Sequence, residues 1–234
     1  MSNDQLNDFL SKEYLAPSSI ANLQQRYLEN SLNVIQVQNF LSKDVANSIS
    51  HFLHKDAQYE NVYGLFGKKN HIVEQREWSN ASERSKFFRY QMISGSSCMS
   101  PSALSYLKLR RTLKSLVFRE YIEKITNKEL ASSSSLLVHR MRGGDYLKKH
   151  NDRSKGRKIA FILYLSQHWS TSLGGQLHVH GLEKNKLVLE PTYNSLVLFD
   201  VRKHEYHYVA PINLPHQSPS DVNPSRISIN GWFL

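Results

Sequence analysis

The chain has 234 residues, a formal net charge of +10 and 40% hydrophobic residues, a composition that suits one domain with its own core. Its single cysteine excludes an intramolecular disulfide and a zinc site built from several cysteines. The sequence contains no run of about 18 apolar residues, so it predicts no membrane span. The N-terminal stretch MSNDQLNDFLSKEYL lacks the basic and apolar regions of a secretion signal. We therefore expect a cytoplasmic protein without a membrane partner.

The positive charge is concentrated in one part of the chain. Residues 101–160 contain 15 Lys and Arg against 5 Asp and Glu, a difference of +10, so the rest of the chain sums to zero. Such a segment attracts anions and speeds encounters with them. It predicts an anionic partner such as the ribosome, and the alternative is a solvated helix face followed by a charged loop.

The first half of the chain has mainly helical periodicity. Residues 41–54, LSKDVANSISHFLH, place apolar side chains on one helical face behind Ser42 as an N-cap. Residues 57–95 show a mixture of helical and strand patterns, and FFRYQMI within them is predicted to be a strand. Ser100 is a predicted N-cap, and Pro101 follows it at the first helical position. From there one apolar face continues past Leu113 to Leu116, which predicts a single helix up to residue 127.

After SSSS at 132–135 the period changes to two, which is typical of strands. Seven short segments rich in β-branched and aromatic residues follow: SLLVHRM, KIAFILYL, GQLHVHGL, KLVLEP, NSLVLFDV, HYVAPI and RISINGWFL. Their number and turn signals favour a β-sandwich or barrel. KIAFILYL is apolar on both faces and therefore predicts a central strand covered on both sides, one of them by the N-terminal helices.

The stretch KKHNDRSKGRK, residues 148–158, places His150 and Asp152 two positions apart, so in a strand both could face one ion. HEYHYVAP offers His204 or His207 as a third ligand. Two imidazoles and one carboxylate form the facial triad that holds Fe(II) and leaves positions open for substrate and O₂. Taken alone the pattern is weak, because the chain has 11 histidines.

The last strand adds a candidate anion site. In RISINGWF, the side chains of Arg226, Ser228 and Asn230 share one face, and an arginine there can bind a carboxylate through two hydrogen bonds. Tyr164 lies in the apolar FILYL, and a buried phenol needs a hydrogen-bond partner. A carboxylate ligand held by Arg226 would supply that partner.

Six blocks in this order, GGDYLKKHND, FILYLSQHW, LGGQLHVH, NSLVLFDV, HYVAP and RISINGWF, resemble the prolyl hydroxylase branch of the 2-oxoglutarate- and Fe(II)-dependent dioxygenases. Within it, the chain is most similar to the ribosomal-protein prolyl hydroxylases and their bacterial relatives. The resemblance implies an α+β fold with a mainly β core, a jelly-roll or cupin-like double-stranded β-helix with supporting N-terminal helices. Residues 1–130 would be the helix-rich support and 131–234 the catalytic core of the same domain.

The resemblance also implies the site. Fe(II) would be bound by His150, Asp152 and His207, and 2-oxoglutarate would chelate the iron while Arg226 pairs with its distal carboxylate. Tyr164 would donate a hydrogen bond to this cosubstrate, with Ser228 as a weaker candidate. The implied reaction consumes O₂, releases succinate and CO₂ and hydroxylates a C–H bond of a prolyl residue in a protein, with ascorbate as an accessory reductant.

Two alternatives stay open at the level of sequence. One keeps the chemistry and changes the substrate to a free amino acid or a small metabolite; the other is a metal-free β-sandwich module that binds RNA or the ribosome. The chain also departs from the family. His207 and Arg226 are 19 residues apart, so residues 212–223 are interpreted as an inserted loop at the substrate rim, and Arg140 stands where several prolyl hydroxylases have a tyrosine near the cosubstrate. The sequence does not indicate an oligomeric state.

Overall fold

The computed structural model describes residues 4–68, 71–96, 99–133, 135–153, 156–213 and 224–234. Twelve strands of these residues join in one antiparallel sheet. The strands are β1 Val34–Val37, β2 Ala57–Leu65, β3 Ile72–Val73, β4 Lys86–Ser96, β5 Leu137–Met141, β6 Tyr146–His150, β7 Ile159–Tyr164, β8 Leu177–Gly181, β9 Lys186–Leu189, β10 Ser195–Asp200, β11 His204–Val209 and β12 Arg226–Phe233. The α-helices are α1 Asp4–Asn7, α2 Pro17–Glu29, α3 Lys43–His51, α4 Gln75–Asn80, α5 Pro101–Leu113 and α6 Leu116–Thr126.

The sheet forms two walls that face each other. One wall has the strand order β1-β10-β7-β12-β5 and the other the order β6-β11-β8-β9. Strand β4 joins them because it pairs with both β5 and β6. The result is the mainly β, nearly closed double-stranded β-helix that the family resemblance implies, and its interior lies between the two walls.

The alternation of side chains along β7 explains its apolar sequence. Phe161 and Leu163 face outwards and pack in a cluster with the helices, where Phe118 of α6 meets the ring of Phe161 edge to face. Ile162 and Tyr164 face into the barrel and belong to a second cluster. Each large apolar side chain buried in this way contributes about 1.5–3 kcal/mol relative to exposure. The helices therefore cover one face of the first wall, as the two-sided apolar pattern predicts.

The single helix predicted from Ser100 to residue 127 is two helices in the structure. The Ser100 side chain caps α5 as predicted, but the helix ends at Leu113, and Ser115 caps α6 by accepting a hydrogen bond from the Phe118 amide. Leu116, predicted on the continuous apolar face, is 45% exposed because the break turns it outwards. Among the helices of the described residues, none combines the length and the apolar character needed to cross a bilayer.

The first half of the chain contributes more sheet than its periodicity indicates. Strands β1, β2, β3 and β4 all lie before residue 100, and β1 completes the edge of the first wall by pairing with β10. The four residues of β1, VIQV, are too few to distinguish a strand from a short apolar part of a helix. The long hairpin of β2 and β4 supplies the link between the walls.

Candidate active site

The two walls bring His150, Asp152 and His207 together. His150 is the last residue of β6 and lies directly opposite His207 in β11, while Asp152 follows two residues after the end of β6. One nitrogen or oxygen from each of the three residues lies within 4.8 Å of the others. The Asp152 carboxylate is 3.4 Å from Nε2 of His207 and 4.0 Å from Nε2 of His150.

Backbone contacts fix which nitrogen His150 presents. Its Nδ1 lies 2.9 Å from the carbonyl oxygen of Lys148, and a carbonyl only accepts hydrogen bonds, so Nδ1 carries the proton. Burial, followed by the neighbouring His207, lowers the pKa of His150 to about 3. The ring is therefore neutral at neutral pH, and its bare Nε2 points at the Asp152 carboxylate, which is the form that binds a metal.

A chain of hydrogen bonds orients His207 in the same way. His204 Nδ1 lies 3.0 Å from the carbonyl oxygen of Asp200 and must donate to it, which leaves His204 Nε2 as an acceptor. His207 Nδ1 lies 3.0 Å from that Nε2 and donates to it, so Nε2 of His207 is bare. His204 thus lies behind His207 and supports it, as the partners of metal-binding histidines commonly do.

Asp152 is held as a carboxylate by three neighbours. The indole N–H of Trp232 donates to it at 2.8 Å, and the guanidinium of Arg157 lies 3.4 Å from its other oxygen. Burial raises the pKa of Asp152, but the neighbouring His207 and the hydrogen bond from Trp232 outweigh burial and hold that pKa below its usual range. Arg157 also lies over the Trp232 ring, with 3.9 Å between its guanidinium carbon and the ring centroid.

Arg226 lies on the opposite wall, 2% exposed, with its guanidinium inside the barrel. Within the described residues its hydrogen bonds go to neutral groups: the Gly175 carbonyl at 2.8 Å, the Tyr164 hydroxyl at 3.2 Å and the Met141 sulfur at 3.4 Å. Gly175 has a φ of +74°, and a Cβ there would come within 2.9 Å of the Arg226 side chain. A buried cation held by neutral groups alone favours an anionic ligand.

Near Arg226, two of the buried polar atoms that lack partners among the described residues lie on neighbouring strands. They are the Ser228 hydroxyl and Nε2 of His139, whose ring stacks on Tyr90 with 4.3 Å between centroids. His139 pairs with Ser228 in register and lines the same cavity as Arg226 and the three converging residues. Buried polar groups need hydrogen bonds, so this cavity suits a small ligand with several oxygen atoms. An arginine at one end and a ligand cluster at the other fit a dicarboxylate that also chelates a metal.

Arg140 does not disturb this cavity. It pairs with Ile227, so its side chain leaves the opposite face of the sheet from Arg226. There its guanidinium donates to Gln91 at 2.7 Å and lies 3.8 Å from the centroid of the Tyr59 ring. The residues of β5 that face the cavity are His139 and Met141.

The sequence reasoning missed three residues that matter at this site: His139, His204 as a support for His207, and Trp232 as a partner of Asp152. For Trp232 a signal existed, because it shares a strand face with Arg226, Ser228 and Asn230. For His139 the signal was its position two residues before Met141 in a predicted strand, because alternate residues of a strand share a face. Lys155 and residues 214–223 of the predicted insertion lie outside the described residues.

Comparisons with known proteins agree with this geometry. Residues 136–234 match the family model of the 2OG-Fe(II) oxygenase superfamily. The chain is 36% identical over 135 residues to "Prolyl 3-hydroxylase OGFOD1" of Xenopus laevis, a stretch that is 55% of this chain and 25% of that protein. It is 30% identical over 130 residues to "Prolyl 3-hydroxylase sudestada1" of Drosophila melanogaster, 49% of this chain and 22% of that protein. The chain thus matches about a quarter of the length of these curated relatives.

Solved structures show the same fold at low sequence identity. A prolyl-4-hydroxylase of Pseudomonas putida superposes with a TM-score of 0.58 and 18% identity, covering 92% of this chain and 97% of that one. A prolyl hydroxylase of Trichoplax adhaerens, solved with a peptide fragment of the hypoxia inducible factor oxygen degradation domain, superposes with a TM-score of 0.61 and 17% identity, covering 100% and 94%. Residues 136–234 thus resemble a 2-oxoglutarate/Fe(II) oxygenase domain, and the fold is the one seen in these prolyl hydroxylase structures.

Proposed function

We propose that the chain hydroxylates a prolyl residue in a protein, with Fe(II) held by His150, Asp152 and His207 and 2-oxoglutarate anchored by Arg226. The observation that carries the proposal is the convergence of the three ligand atoms within 4.8 Å inside the barrel. Two imidazoles and one carboxylate are the donor set of a facial Fe(II) site with open positions. The names of the curated relatives support a prolyl residue as the target.

Each residue has a separate task in this reaction. When bound, Fe(II) and 2-oxoglutarate supply the activation of O₂, which yields succinate and CO₂ and places one oxygen atom in a substrate C–H bond. The backbone contacts of His150 and His204 hold both imidazoles in the tautomer that presents Nε2. Arg226 neutralises the distal carboxylate, with Tyr164 beside it and Ser228 and His139 able to donate hydrogen bonds along the cavity. Arg226 and Tyr164 are almost completely buried, so water has little access to them.

The metal assignment is tested first without substrate. Under anaerobic conditions the chain is titrated with Fe(II) and then 2-oxoglutarate, and bound metal and the metal-to-ligand absorption band are measured. His150→Ala and Asp152→Ala are expected to lose Fe(II) binding and all succinate release while the fold survives. His180→Ala is the matched control, because His180 lies on the outer face of β8 away from the cavity. Normal turnover in either ligand variant would refute the assignment.

The substrate class is tested with succinate release and mass spectrometry. The loaded chain is given proline-containing peptides, free proline and other free amino acids, with and without ascorbate. We expect a gain of about 16 Da, one oxygen atom, on proline in a peptide. Hydroxylation of free amino acids alone would instead support the small-molecule alternative.

We also propose that the basic segment, residues 101–160, contacts an anionic partner such as ribosomal RNA next to the substrate loop. Part of its charge is used inside the fold, since Arg157 pairs with Asp152 and Lys128 pairs with Asp200. Arg153, which directly follows Asp152, is exposed but donates to the carbonyl oxygen of His204. The basic side chains on the outside of α5 are better placed to meet a partner.

A further inference from the structure

We propose that a groove beside the metal site binds an extended protein segment with acidic residues around the target proline. This proposal rests on the proposed function and specifies the kind of protein substrate that the chain would bind. The groove has a volume of about 550 Å³, within the range of ligand pockets. Its walls are largely apolar and include Phe66, Tyr146, Leu147, Tyr208, Val209 and Pro211.

The groove adjoins the catalytic cavity. Leu147 and Val209 line both, and they pair with each other across β6 and β11. The same two strands carry His150 and His207. Leu147 lies near the start of β6 and Val209 at the end of β11, so a side chain that passes over this end of the strand pair approaches the catalytic cavity while the chain on either side of it stays in the groove.

One wall of the groove is a supported aromatic ring. Tyr208 stacks on His178 of the neighbouring strand, with 4.5 Å between the centroids and 7° between the planes. His178 covers one face of the phenol ring and leaves the ring as a rigid wall of the groove. Aromatic walls of this kind bind proline-containing extended segments, because the pyrrolidine ring packs on aromatic faces and the segment loses little entropy on binding.

The charges at the groove favour acidic residues in that segment. Lys148 and Lys149 line it, and so does Glu83, whose carboxylate already pairs with Lys86 at 2.7 Å. Lys149 is exposed, with its ammonium 4.5 Å from the centroid of the Tyr206 ring. Lys148 donates to the Glu83 carbonyl oxygen and the Glu83 carboxylate pairs with Lys86, so Lys149 is the lysine with an exposed ammonium that is complementary to Asp or Glu near the proline.

The test measures peptide binding without turnover. The chain is loaded anaerobically with Fe(II) and 2-oxoglutarate and titrated with labelled peptides that have one central proline and either acidic or basic neighbours. We expect the acidic peptides to bind more tightly. Tyr208→Ala should weaken their binding by at least about tenfold, whereas Tyr208→Phe should keep it, because the ring and not the hydroxyl forms the wall.

Tyr206→Ala is the matched control for the aromatic wall, measured with peptides that have neutral neighbours because the Lys149 ammonium lies over the Tyr206 ring. Tyr206 is on the same face of β11, also adjacent to His207 and also stacked on a histidine, but it does not line the groove. Lys149→Glu should remove the preference for acidic peptides, while Lys186→Glu, at the far edge of the same sheet face, should leave it intact. Iron and 2-oxoglutarate binding should be unchanged in all of these variants.

Three results would overturn the groove assignment: wild-type protein that binds no peptide, Tyr208→Ala with normal binding, or equal losses in Tyr206→Ala and Tyr208→Ala. An RNA oligonucleotide that binds through Tyr208 in place of peptides would overturn it as well. Failure of the proposed function looks different, since no peptide would then be hydroxylated by the wild type. If prolyl hydroxylation proceeds and Tyr208→Ala leaves the KM for the peptide unchanged, the proposed function stands and the groove assignment is wrong.

Discussion

Arg226 is the residue on which cosubstrate affinity should depend most. Its guanidinium is buried and contacts only neutral groups within the described residues, so a bound carboxylate would be its one charged partner there. Arg226→Ala would leave that carboxylate buried and unpaired, at a cost of about 2–5 kcal/mol. We expect the apparent 2-oxoglutarate constant to rise at least about tenfold, with Fe(II) binding intact.

Arg140→Ala is the control for this substitution. Arg140 lies one strand away and on the outer face of the sheet, so its removal should leave the 2-oxoglutarate constant unchanged. The comparison is made by substrate-free succinate release at varied 2-oxoglutarate. An unchanged constant in Arg226→Ala would remove the support for Arg226 as the anchor.

His204 should act on iron affinity through His207. Without the acceptor at His204 Nε2, His207 loses the hydrogen bond that fixes its tautomer, and such losses cost about 10–100-fold in metal affinity. His204→Ala should therefore still bind Fe(II), but more weakly, whereas His207→Ala should not bind it at all. The measurement is an anaerobic Fe(II) titration against a competing chelator.

His204→Gln distinguishes orientation from packing. Its amide oxygen can accept a hydrogen bond from His207 Nδ1, so it should restore part of the affinity that His204→Ala loses. If His204→Ala abolishes binding while His207→Ala keeps it, the roles of the two histidines are reversed.

At the scale of elements, the sequence is informative where side-chain alternation is strong. The period of two located seven of the eight strands after residue 131, because each of the seven has one face in the barrel and the other against helices or solvent. It missed β6, whose sequence YLKKH mixes lysines with apolar residues, and β1, which is too short to show a period. The spacing of His150 and Asp152 pointed to the ligands, although the strand ends at His150 and Asp152 lies in the loop beyond it.

Two of the three contacts that the sequence did not predict join distant parts of the chain, whereas His204 and His207 lie in the same strand. Trp232 reaches Asp152 across 80 residues of chain, and His139 reaches Ser228 by strand pairing. Periodicity reports which face a residue occupies and not which strand lies beside it. The register of the sheet was therefore needed to add these residues to the site.

Helix α5 presents the part of the basic segment that is best placed for a partner. Lys108, Arg111 and Lys114 are exposed there, beside the half-exposed Leu104 and Leu107. If an RNA surface docks on this face, Lys108→Glu with Arg111→Glu should weaken binding to purified ribosomes and reduce its dependence on salt. Substrate-free 2-oxoglutarate turnover should be unaffected, because the helix lies outside the barrel.

A charge-matched control separates docking from overall charge. Lys12→Glu with Lys43→Glu changes the net charge equally at exposed positions outside residues 101–160. Equal effects of the two pairs would show a general electrostatic attraction without a docking face. No effect of either pair would mean that the lysines of α5 only solvate the helix.

At the scale of the whole molecule, the site depends on how the two walls close. The metal ligands belong to β6, β11 and the loop after β6, whereas Arg226, Ser228 and His139 belong to the opposite wall. Trp232 on β12 donates to Asp152 and links the walls directly. Folding of the barrel thus assembles the site, and it also buries titratable groups that must remain neutral.

Because His139 is one of these buried groups, its burial should make the free energy of unfolding depend on pH. Burial, followed by the charge of Arg226, lowers the pKa of His139 to about 3, while an unfolded histidine titrates near 6.5. Between pH 7 and pH 5 the unfolded chain therefore gains a proton at His139 and the folded chain does not, so acid favours unfolding. The free energy of unfolding of the metal-free chain should fall by about 2 kcal/mol more in wild type than in His139→Gln over this range. Denaturant unfolding at both pH values measures it, and the other histidines cancel in the difference. Equal pH dependence in the two proteins would show that folded His139 takes up the proton and is not held neutral in the cavity.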